Sequence, residues 1–268
     1  MATRTTSLAA RSSSSTCPTS SPGAASTSRA TRRRRPSRGC FAAGLSDWAL
    51  TDASGPLRFS AVTEALLIFK PDSAHRLAVR AGLWSWLQTE RDWKLGALTW
   101  YQPPRELIHS HYDFLQGRPF FPWLVDFMTA LPVLVGRIEA EPEGLERMRY
   151  ELGETRIHES RPGSLRERYG IGGGVNVLHI SDSPESGERE IQLWRRYLPL
   201  DGIDVDLPDA NGHPDHTFHL RSLAAQYAAG VHAELAAQEI RRLLRDESEL
   251  SADGFEALTR VVQGAYTS

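Results

Sequence analysis

The pattern of apolar and polar positions divides the chain into a polar start, a middle of short apolar runs and an amphipathic end. Residues 65–69 are continuously apolar and stop at Lys70 and Pro71, which is typical of a buried strand. Similar runs predict three further strands, over residues 94–100, 132–138 and 175–180. Between the strands, apolar spacing and helix-starting prolines predict helices over 72–89, 104–114, 119–128, 142–152 and 184–195, with an irregular loop over 153–174.

The order of these elements predicts a fold of the α/β class for residues 59–197. Each strand is followed by one or two helices before the chain returns to the sheet. This alternation favours an α+β sandwich of the ferredoxin-like type, with a βαββαβ core and an antiparallel four-stranded sheet. We expect the helices of this core to cover one face of the sheet.

Residues 198–268 are predicted to be an acidic linker followed by a helical extension. Residues 201–211 carry four aspartates, and apolar stripes then predict a helix over 222–245 and a shorter helix capped by Ser251 or Asp253. Such stripes favour packing against the preceding domain or a sister subunit, with a docking surface for another protein as the alternative.

Three histidines of the linker region recur at every third position, namely His213, His216 and His219. This spacing invites a metal-binding interpretation. Because Pro214 interrupts any helix there, we favour a solvated linker and predict no metal ligand in the protein.

The N-terminal arm, residues 1–58, has a different composition from the rest of the chain. It carries nine arginines against two aspartates and has few large apolar groups, so we expect it to be disordered. Lys70 and Lys94 are the only lysines among 31 basic residues, a bias typical of GC-rich coding sequence. We therefore favour a misassigned start, with a harmless tail and a targeting or nucleic-acid-binding arm as alternatives.

Composition also limits the partners and the location of the protein. No apolar run approaches the roughly 18 residues that cross a bilayer, so we expect no membrane partner. The net charge is -2 and the arm is basic, so the remainder is acidic and is predicted not to bind nucleic acid. Cys17 and Cys40 both lie in the arm and cannot cross-link the domain. We expect a cytoplasmic location, with organellar targeting by the arm as the alternative.

Polar groups that suit phosphate chemistry concentrate between residues 149 and 190. Several arginines surround a glycine-rich turn, and guanidinium groups are bidentate donors to phosphate oxygens. His179 ends a predicted strand, and Glu190 follows one helix later. A carboxylate that fixes the imidazole can make a histidine nucleophilic. A lone histidine at a strand end is more often structural, so these residues leave both interpretations open.

Five segments in order resemble the motifs of nucleoside diphosphate kinases. They span about residues 63–195 and are 65–72 (ALLIFKPD), 116–128 (QGRPFFPWLVDFM), 149–155 (RYELGET), 161–170 (RPGSLRERYG) and 176–194 (NVLHISDSPESGEREIQLW). The resemblance implies a ferredoxin-like core, in agreement with the pattern of strands and helices.

The resemblance also implies roles for individual residues. His179 matches the histidine that accepts the phosphate, and Glu190 matches the carboxylate that orients it. Lys70 matches the lysine that reaches the transferring phosphate and the sugar hydroxyl, and Tyr112 matches the tyrosine that supports this region. The remaining matches contact the nucleotide: Arg149, Thr155 and Arg166 the phosphates, Asn176 the ribose, and Phe120 and Leu124 the base.

By this resemblance the chain is expected to be an enzyme, a nucleoside diphosphate kinase. An NTP such as ATP would phosphorylate His179, and an NDP would then collect the phosphate in a ping-pong reaction. Mg²⁺ would be carried by the nucleotide, and a homo-oligomer is expected. The alternative is a catalytically impaired nucleotide-binding or scaffold module that acts through its C-terminal helices.

The chain departs from the family pattern at several positions. Ile180 stands where the family has glycine, and we expect its bulk behind the histidine to disturb the rotamer of His179 or the packing of Tyr112 and so to lower activity. Ile157 replaces a loop proline, and Ser73 and Leu77 replace glycines, at positions that serve subunit contacts in the family. These substitutions leave the number of subunits open.

Overall fold

In the computed structural model, residues 62–89, 92–205, 207 and 212–266 are described. The predicted arm, residues 1–58, lies outside the described residues. The strands are β1 Thr63–Phe69, β2 Trp93–Tyr101, β3 Val133–Ala140, β4 Leu178–Ile180 and β5 Gly202–Asp204. The helices are α1 Pro71–Ala74, α2 Leu77–Gln88, α3 Arg105–His111, α4 Phe121–Met128, α5 Pro142–Leu152, α6 Leu165–Tyr169, α7 Pro184–Trp194, α8 Thr217–Ala228, α9 Ala233–Glu247 and α10 Ala252–Gln263. Single 3₁₀ turns follow at Asp113–Leu115, Ile157–Glu159 and Gly264–Tyr266.

The sheet has the strand order β4-β1-β3-β2-β5. β1 pairs antiparallel with β3 and β4, and β2 pairs antiparallel with β3. This arrangement of the first four strands confirms the predicted ferredoxin-like fold. A fifth strand, β5, runs parallel to β2, so the sheet exceeds the predicted four strands. All three β5 residues are exposed, and such a strand leaves no apolar alternation in the sequence to predict it from.

Helices cover both faces of the sheet, not one as the sequence analysis expects. Leu66 and Ile68 of β1 face α3, α4, α7 and the C-terminal helices. Leu67 and Phe69 point the other way, into a second core with α2 and α5. Because β1 is buried on both sides, its sequence is continuously apolar rather than alternating.

Two boundaries near the predicted site differ from the expectation. The helix predicted over 72–89 is two helices, α1 and α2. Asp72 does not cap either of them, since its carboxylate accepts a hydrogen bond from the backbone N–H of Val177 at 3.1 Å. The strand predicted over 175–180 begins only at Leu178, because Val177 adopts a left-handed φ of 71° that interrupts the pleat. The predicted loop over 153–174 contains α6.

The C-terminal extension packs directly against the domain that contains β1 to β4. Leu220, Ile240 and Leu258 share one apolar cluster with Leu66 and Trp194. The helix predicted over 222–245 is divided into α8 and α9 at Gly230 and His232, both of which have positive φ. Ser251 caps α10, accepting from the Gly254 N–H at 3.3 Å.

A buried ion pair also joins the extension to the core. Arg76, which is fully buried, meets the Glu247 carboxylate through Nε and Nη2. Its Nη2 also donates to Thr217 Oγ1 at 2.6 Å. None of the described helices has both the length and the apolar character needed to cross a bilayer.

Candidate active site

His179 is held by a chain of hydrogen bonds that starts in the sheet. The Leu66 N–H donates to Ser181 Oγ at 2.8 Å, and Ser181 Oγ donates to Glu190 Oε2 at 2.7 Å. The same carboxylate oxygen lies 2.8 Å from Nε2 of His179. Because Nε2 is engaged, Nδ1 is the ring nitrogen left for an incoming phosphate.

The position of Glu190 depends on close packing between α7 and β1. Ser183 begins α7 with a capping box, in which its side chain and that of Ser186 bond each other's backbone N–H. Gly187 then lies so close to the Glu64 carbonyl that a Cβ atom would not fit. This approach brings Glu190 back over β4 to His179.

The carboxylate of Glu190 remains ionised although it is buried. Burial alone would raise its pKa, but the hydrogen bond and charge of His179 act in the opposite direction. Together with Ser181 they hold the pKa of Glu190 at about 2. The group beside the imidazole is therefore an anion throughout the physiological range.

The rings of His111 and Tyr112 lie against His179, and Trp194 lies behind His111. The ring centroid of His111 lies 4.7 Å from that of His179, edge to face. Trp194 Nε1 donates to Nδ1 of His111 at 3.2 Å, and burial lowers the pKa of His111 to about 3. His111 is thus neutral with its hydrogen on Nε2. No motif in the sequence points to His111, although it directly precedes Tyr112.

His111, His179 and Glu190 place ligand-type atoms within 4.8 Å of one another. A metal ion is not the best explanation for this cluster. Nδ1 of His111 already accepts a hydrogen bond, so its Nε2 carries the hydrogen and offers no lone pair to a metal. Glu190 is likewise used by His179 and Ser181.

Tyr112 is buried, and its ring centroid lies 6.2 Å from that of His179. Its hydroxyl has no hydrogen-bond partner among the described residues. Burial and the nearby charge of Glu190 raise the pKa of Tyr112 well above its usual range. The hydroxyl is therefore a neutral donor near the histidine.

Lys70 directly follows β1 and lies beside the glycine-rich turn. Its Nζ donates to Asn176 Oδ1 at 2.6 Å and to the Gly174 carbonyl at 3.2 Å. Asn176 in turn donates from Nδ2 to the Thr155 carbonyl at 2.8 Å. Burial, and then the charge of Arg166, lower the pKa of Lys70 to about 7.

Two arginines converge near the same end of the sheet. Arg166 Nη1 donates to the Gly153 carbonyl at 3.0 Å and its Nη2 to the Leu178 carbonyl at 2.9 Å, while Thr155 Oγ1 lies 3.5 Å from Nη1. Burial and the charge of Arg149 lower the pKa of Arg166 to about 10. The two guanidiniums repel each other in this structure, an arrangement that an anion between them would stabilise.

Arg149 approaches the chain just beyond His179. Its Nη1 donates to the Ile180 carbonyl at 3.0 Å and pairs with the exposed Asp182 at 2.5 Å. Most of the site residues selected from the sequence therefore belong to one hydrogen-bonded region around β4.

The two residues predicted to contact a base lie at the start of α4. Phe120 immediately precedes the helix and is 36% exposed, while Leu124 is buried one turn later. Phe127 of the same helix lies under the Lys70 ammonium, 6.0 Å from Nζ to the ring centroid. This contact places α4 beside the Lys70 region.

Ile180 does not crowd the histidine, contrary to the expectation. In the register of β4 with β1, His179 is paired with Ile68 and Ile180 is paired with Leu67. Ile180 therefore packs in the core on the opposite face from Tyr112. Alternation along the strand sends the two side chains to opposite faces, so the extra bulk leaves the histidine's hydrogen bond to Glu190 intact.

The other departures are also accommodated. Ser73 uses its hydroxyl to donate to the Val177 carbonyl at 2.6 Å, and Ile157 is buried. The three histidines of the linker region lie away from the hydrogen bonds of the site. The expectation of a solvated linker is wrong for His219, because α8 begins at Thr217 and includes it. His213 approaches an acidic side chain just after α9, and His216 approaches one within α9. Among the described residues, the three histidines do not form a metal-binding group.

The family model described as "Nucleoside diphosphate kinase" matches residues 63–197. The chain belongs to this family. It is 37% identical over 130 residues to the nucleoside diphosphate kinase of Chloroflexus aurantiacus, covering 48% of this chain and 85% of the relative. It is 35% identical over 133 residues to the chloroplastic nucleoside diphosphate kinase 2 of Nicotiana tabacum, covering 50% and 56%. A crystal structure of the Aquifex aeolicus nucleoside diphosphate kinase aligns with a TM-score of 0.46 at 33% identity, over 53% of this chain and 99% of that one. The resemblance indicated by the sequence motifs is confirmed.

Proposed function

We propose that this chain is a nucleoside diphosphate kinase that carries phosphate on His179. The observation that supports this most strongly is the bond between Nε2 of His179 and the ionised Glu190, beside two guanidiniums and Lys70. A histidine fixed in this way presents one nitrogen, Nδ1, to the phosphate that it would receive, and the nearby cations would stabilise the charge of that phosphate. Membership of the family supplies the reaction class.

In the proposed reaction, the lone pair of Nδ1 attacks the γ-phosphorus of an NTP. The bond from that phosphorus to the bridging oxygen breaks, and the NDP leaves with its electron pair. A second NDP then attacks the phosphohistidine with a terminal oxygen, and Nδ1 recovers its lone pair. Each half of this ping-pong cycle forms one bond to phosphorus and breaks one. The same pocket binds the donor and the acceptor in turn.

Glu190 has two tasks in this reaction. It holds the imidazole with the hydrogen on Nε2, and it stabilises the positive charge that develops on the ring when Nδ1 forms a bond to phosphorus. Ser181 fixes the carboxylate by a hydrogen bond. Tyr112 and His111 define the space around the ring.

Cationic residues would neutralise the phosphates. Lys70, Arg149 and Arg166 provide the charge, and Thr155 adds a hydroxyl; in-line phosphoryl transfer depends mainly on such positioning and charge neutralisation. Asn176 and Lys70 would contact the sugar. Phe120 and Leu124 would hold the base by stacking and apolar contact, which discriminates weakly between bases.

Magnesium is proposed to enter as part of the nucleotide. Two carboxylates of this region are already engaged, Glu190 by His179 and Ser181, and Asp182 by Arg149. The divalent ion would therefore be held mainly by the phosphates, and the protein would bind the complex through its cations.

The cellular setting and assembly are proposed from the sequence. We propose that the chain acts in the cytoplasm as a homo-oligomer, with residues 59–197 as the catalytic domain and 198–268 as its extension. Large exposed apolar side chains such as Phe218 and Leu235 support self-association. Light scattering of the purified chain and imaging of a fluorescent fusion, with and without residues 1–58, test these points.

Intact-mass spectrometry tests the kinase proposal. The purified protein and its His179→Ala variant are exposed briefly to ATP and magnesium and then chased with a different NDP. We expect one acid-labile phosphate on the wild type alone, removed by the chase. Nucleotide binding without phosphate uptake by the wild type would contradict the proposal and favour a non-catalytic binding module.

A further inference from the structure

The C-terminal extension contacts the nucleotide side of the site through polar groups. Two of its side chains, Arg221 and Tyr266, bond the main chain of residues 165–176, which we call the pocket segment. This segment comprises α6 and the glycine-rich turn, and it carries Arg166, the Gly174 carbonyl that binds Lys70, and Asn176.

Arg221 binds the end of α6. From α8, its Nε and Nη2 donate to the Gly170 carbonyl at 3.0 and 2.8 Å, and Nη2 also donates to the Glu167 carbonyl. Carbonyls at the end of a helix lack partners within the helix, and a guanidinium satisfies them well. Arg166 lies in the same short helix, so Arg221 restrains the element that positions it.

Tyr266 binds the turn that follows. Its hydroxyl donates to the Ile171 carbonyl at 2.7 Å. Its ring lies against Gly172 so closely that a Cβ atom there would not fit. Trp123 of α4 packs in the same way against Gly174. The turn is thus enclosed between the extension and α4, the helix that follows Phe120.

The glycine-rich turn has few interactions of its own that stabilise its conformation. Four of the five residues from 170 to 174 are glycine, the residue that loses most backbone entropy on ordering. Its backbone hydrogen bonds join Ile171 and Gly172 to Val175, and Gly170 to Arg166 at the end of α6. The order of the turn therefore depends on groups outside it.

We infer that the extension holds the pocket segment in the conformation that binds nucleotide. Arg221 and Tyr266 would act as positioning residues for the phosphate and sugar contacts. The inference rests on the proposed kinase function. Without these two side chains, the nucleotide itself would have to order the pocket segment on binding, so affinity would fall. His179, which is fixed by Glu190 and Ser181, would be unaffected. We therefore expect a higher Mg-ATP concentration at half-saturation and a nearly unchanged maximal rate of phosphorylation.

The test measures single-turnover phosphorylation of His179 in the full chain as a function of Mg-ATP concentration. The variants are Arg221→Ala, Arg221→Lys and Tyr266→Phe. Ser222→Ala is the matched control, because its exposed hydroxyl bonds only within its own helix, to the Phe218 carbonyl. Melting curves of all the variants report whether they are folded.

We expect the half-saturating Mg-ATP concentration to rise about tenfold in Arg221→Ala and about threefold in Tyr266→Phe. These changes correspond to the loss of a charged hydrogen bond in the first variant and of a neutral one in the second. Maximal rates should stay within about threefold, Arg221→Lys should recover part of the loss, and Ser222→Ala should match the wild type. Unchanged half-saturation in both variants would overturn the inference, as would a fall in maximal rate alone.

A second measurement separates this inference from the kinase proposal. If the wild type accepts no phosphate, the kinase proposal fails, but the dissociation constant of a fluorescent ADP analogue still tests the pocket. Weaker binding in Arg221→Ala and Tyr266→Phe than in Ser222→Ala would then support the positioning role. Equal binding in all three would refute it.

Discussion

His179 lies on β4 and Lys70 directly follows the neighbouring strand β1, yet the fold holds the two side chains in different ways. His179 is bonded by the Glu190 side chain, which Ser181 ties to the backbone of β1. Lys70 is bonded by Asn176 and by a carbonyl of the glycine-rich turn. The core of the domain thus fixes the nucleophile, whereas the nucleotide side depends on a turn that the extension supports.

The two sides also differ in how they respond to pH. Glu190 keeps its charge down to a pKa of about 2. Lys70 has a pKa of about 7 because it is buried beside Arg166, so it loses its charge within the working range. Protonation should therefore modulate nucleotide capture more than the carboxylate that orients the nucleophile.

The largest effect is expected on the histidine side, in Glu190→Gln. The amide keeps the size of the side chain but removes the charge that supports the imidazole. We expect phosphorylation of His179 to slow about 100-fold, with Mg-ATP half-saturation unchanged, in rapid-quench measurements. Glu188→Gln, an exposed site on the same helix, is the control. Equal rates in the two variants would show that the carboxylate does not support the nucleophile.

On the nucleotide side, the charge of Lys70 should set the pH dependence. A lowered pKa means that the ammonium is present below about pH 7 and is lost above it. We expect kcat/KM for ATP to fall about tenfold between pH 6 and pH 9. Lys70→Met should be slower at low pH and should lack this fall. If the variant kept the same slope, another group would be responsible.

Ser181→Ala should affect stability more than rate. The change removes the hydroxyl that bonds Glu190 and leaves the buried Leu66 N–H without its acceptor. We expect the free energy of unfolding to fall by about 1–3 kcal/mol and phosphorylation to slow about threefold. Urea unfolding and rapid quench measure the two effects, with the exposed Ser110→Ala as the control. A rate as low as that of Glu190→Gln would mean that Glu190 cannot hold His179 alone.

The smallest effect on rate is expected for Ile180→Gly, which restores the residue usual in the family. Because the isoleucine packs on the opposite face from His179, the rate should change less than about twofold. The loss of buried apolar volume should lower the free energy of unfolding by about 2–5 kcal/mol. A large gain in rate would show that Ile180 does crowd the site.

The sequence was informative where a pattern has one structural meaning. The apolar run of β1, its stop at Lys70 and the order of elements predict the fold, and the motifs around His179 and Glu190 predict the family. Whether each selected residue performs its assigned role stays a prediction. The structure shows that His179, Glu190, Lys70, Asn176 and Arg166 lie in one region.

Other features depend on contacts between distant residues that no local pattern records. The exposed strand β5 is held by pairing with β2, and the left-handed Val177 by hydrogen bonds from Lys70 and Ser73 and to Asp72. His111 falls within the helix predicted over 104–114, and nothing in the local sequence distinguishes it from a core residue. Arg221 and Tyr266 lie in a segment with no counterpart among the family motifs, so only three-dimensional packing connects them to the site.

The position of the phosphate on the protein is the sharpest test of the role assigned to Glu190. The ¹⁵N-labelled enzyme, phosphorylated with ATP and magnesium, gives long-range ¹H–¹⁵N correlations that distinguish the two nitrogens of each histidine. Because Glu190 engages Nε2, we expect the phosphate on Nδ1 of His179. Phosphate on Nε2, or on any other residue, would contradict this expectation.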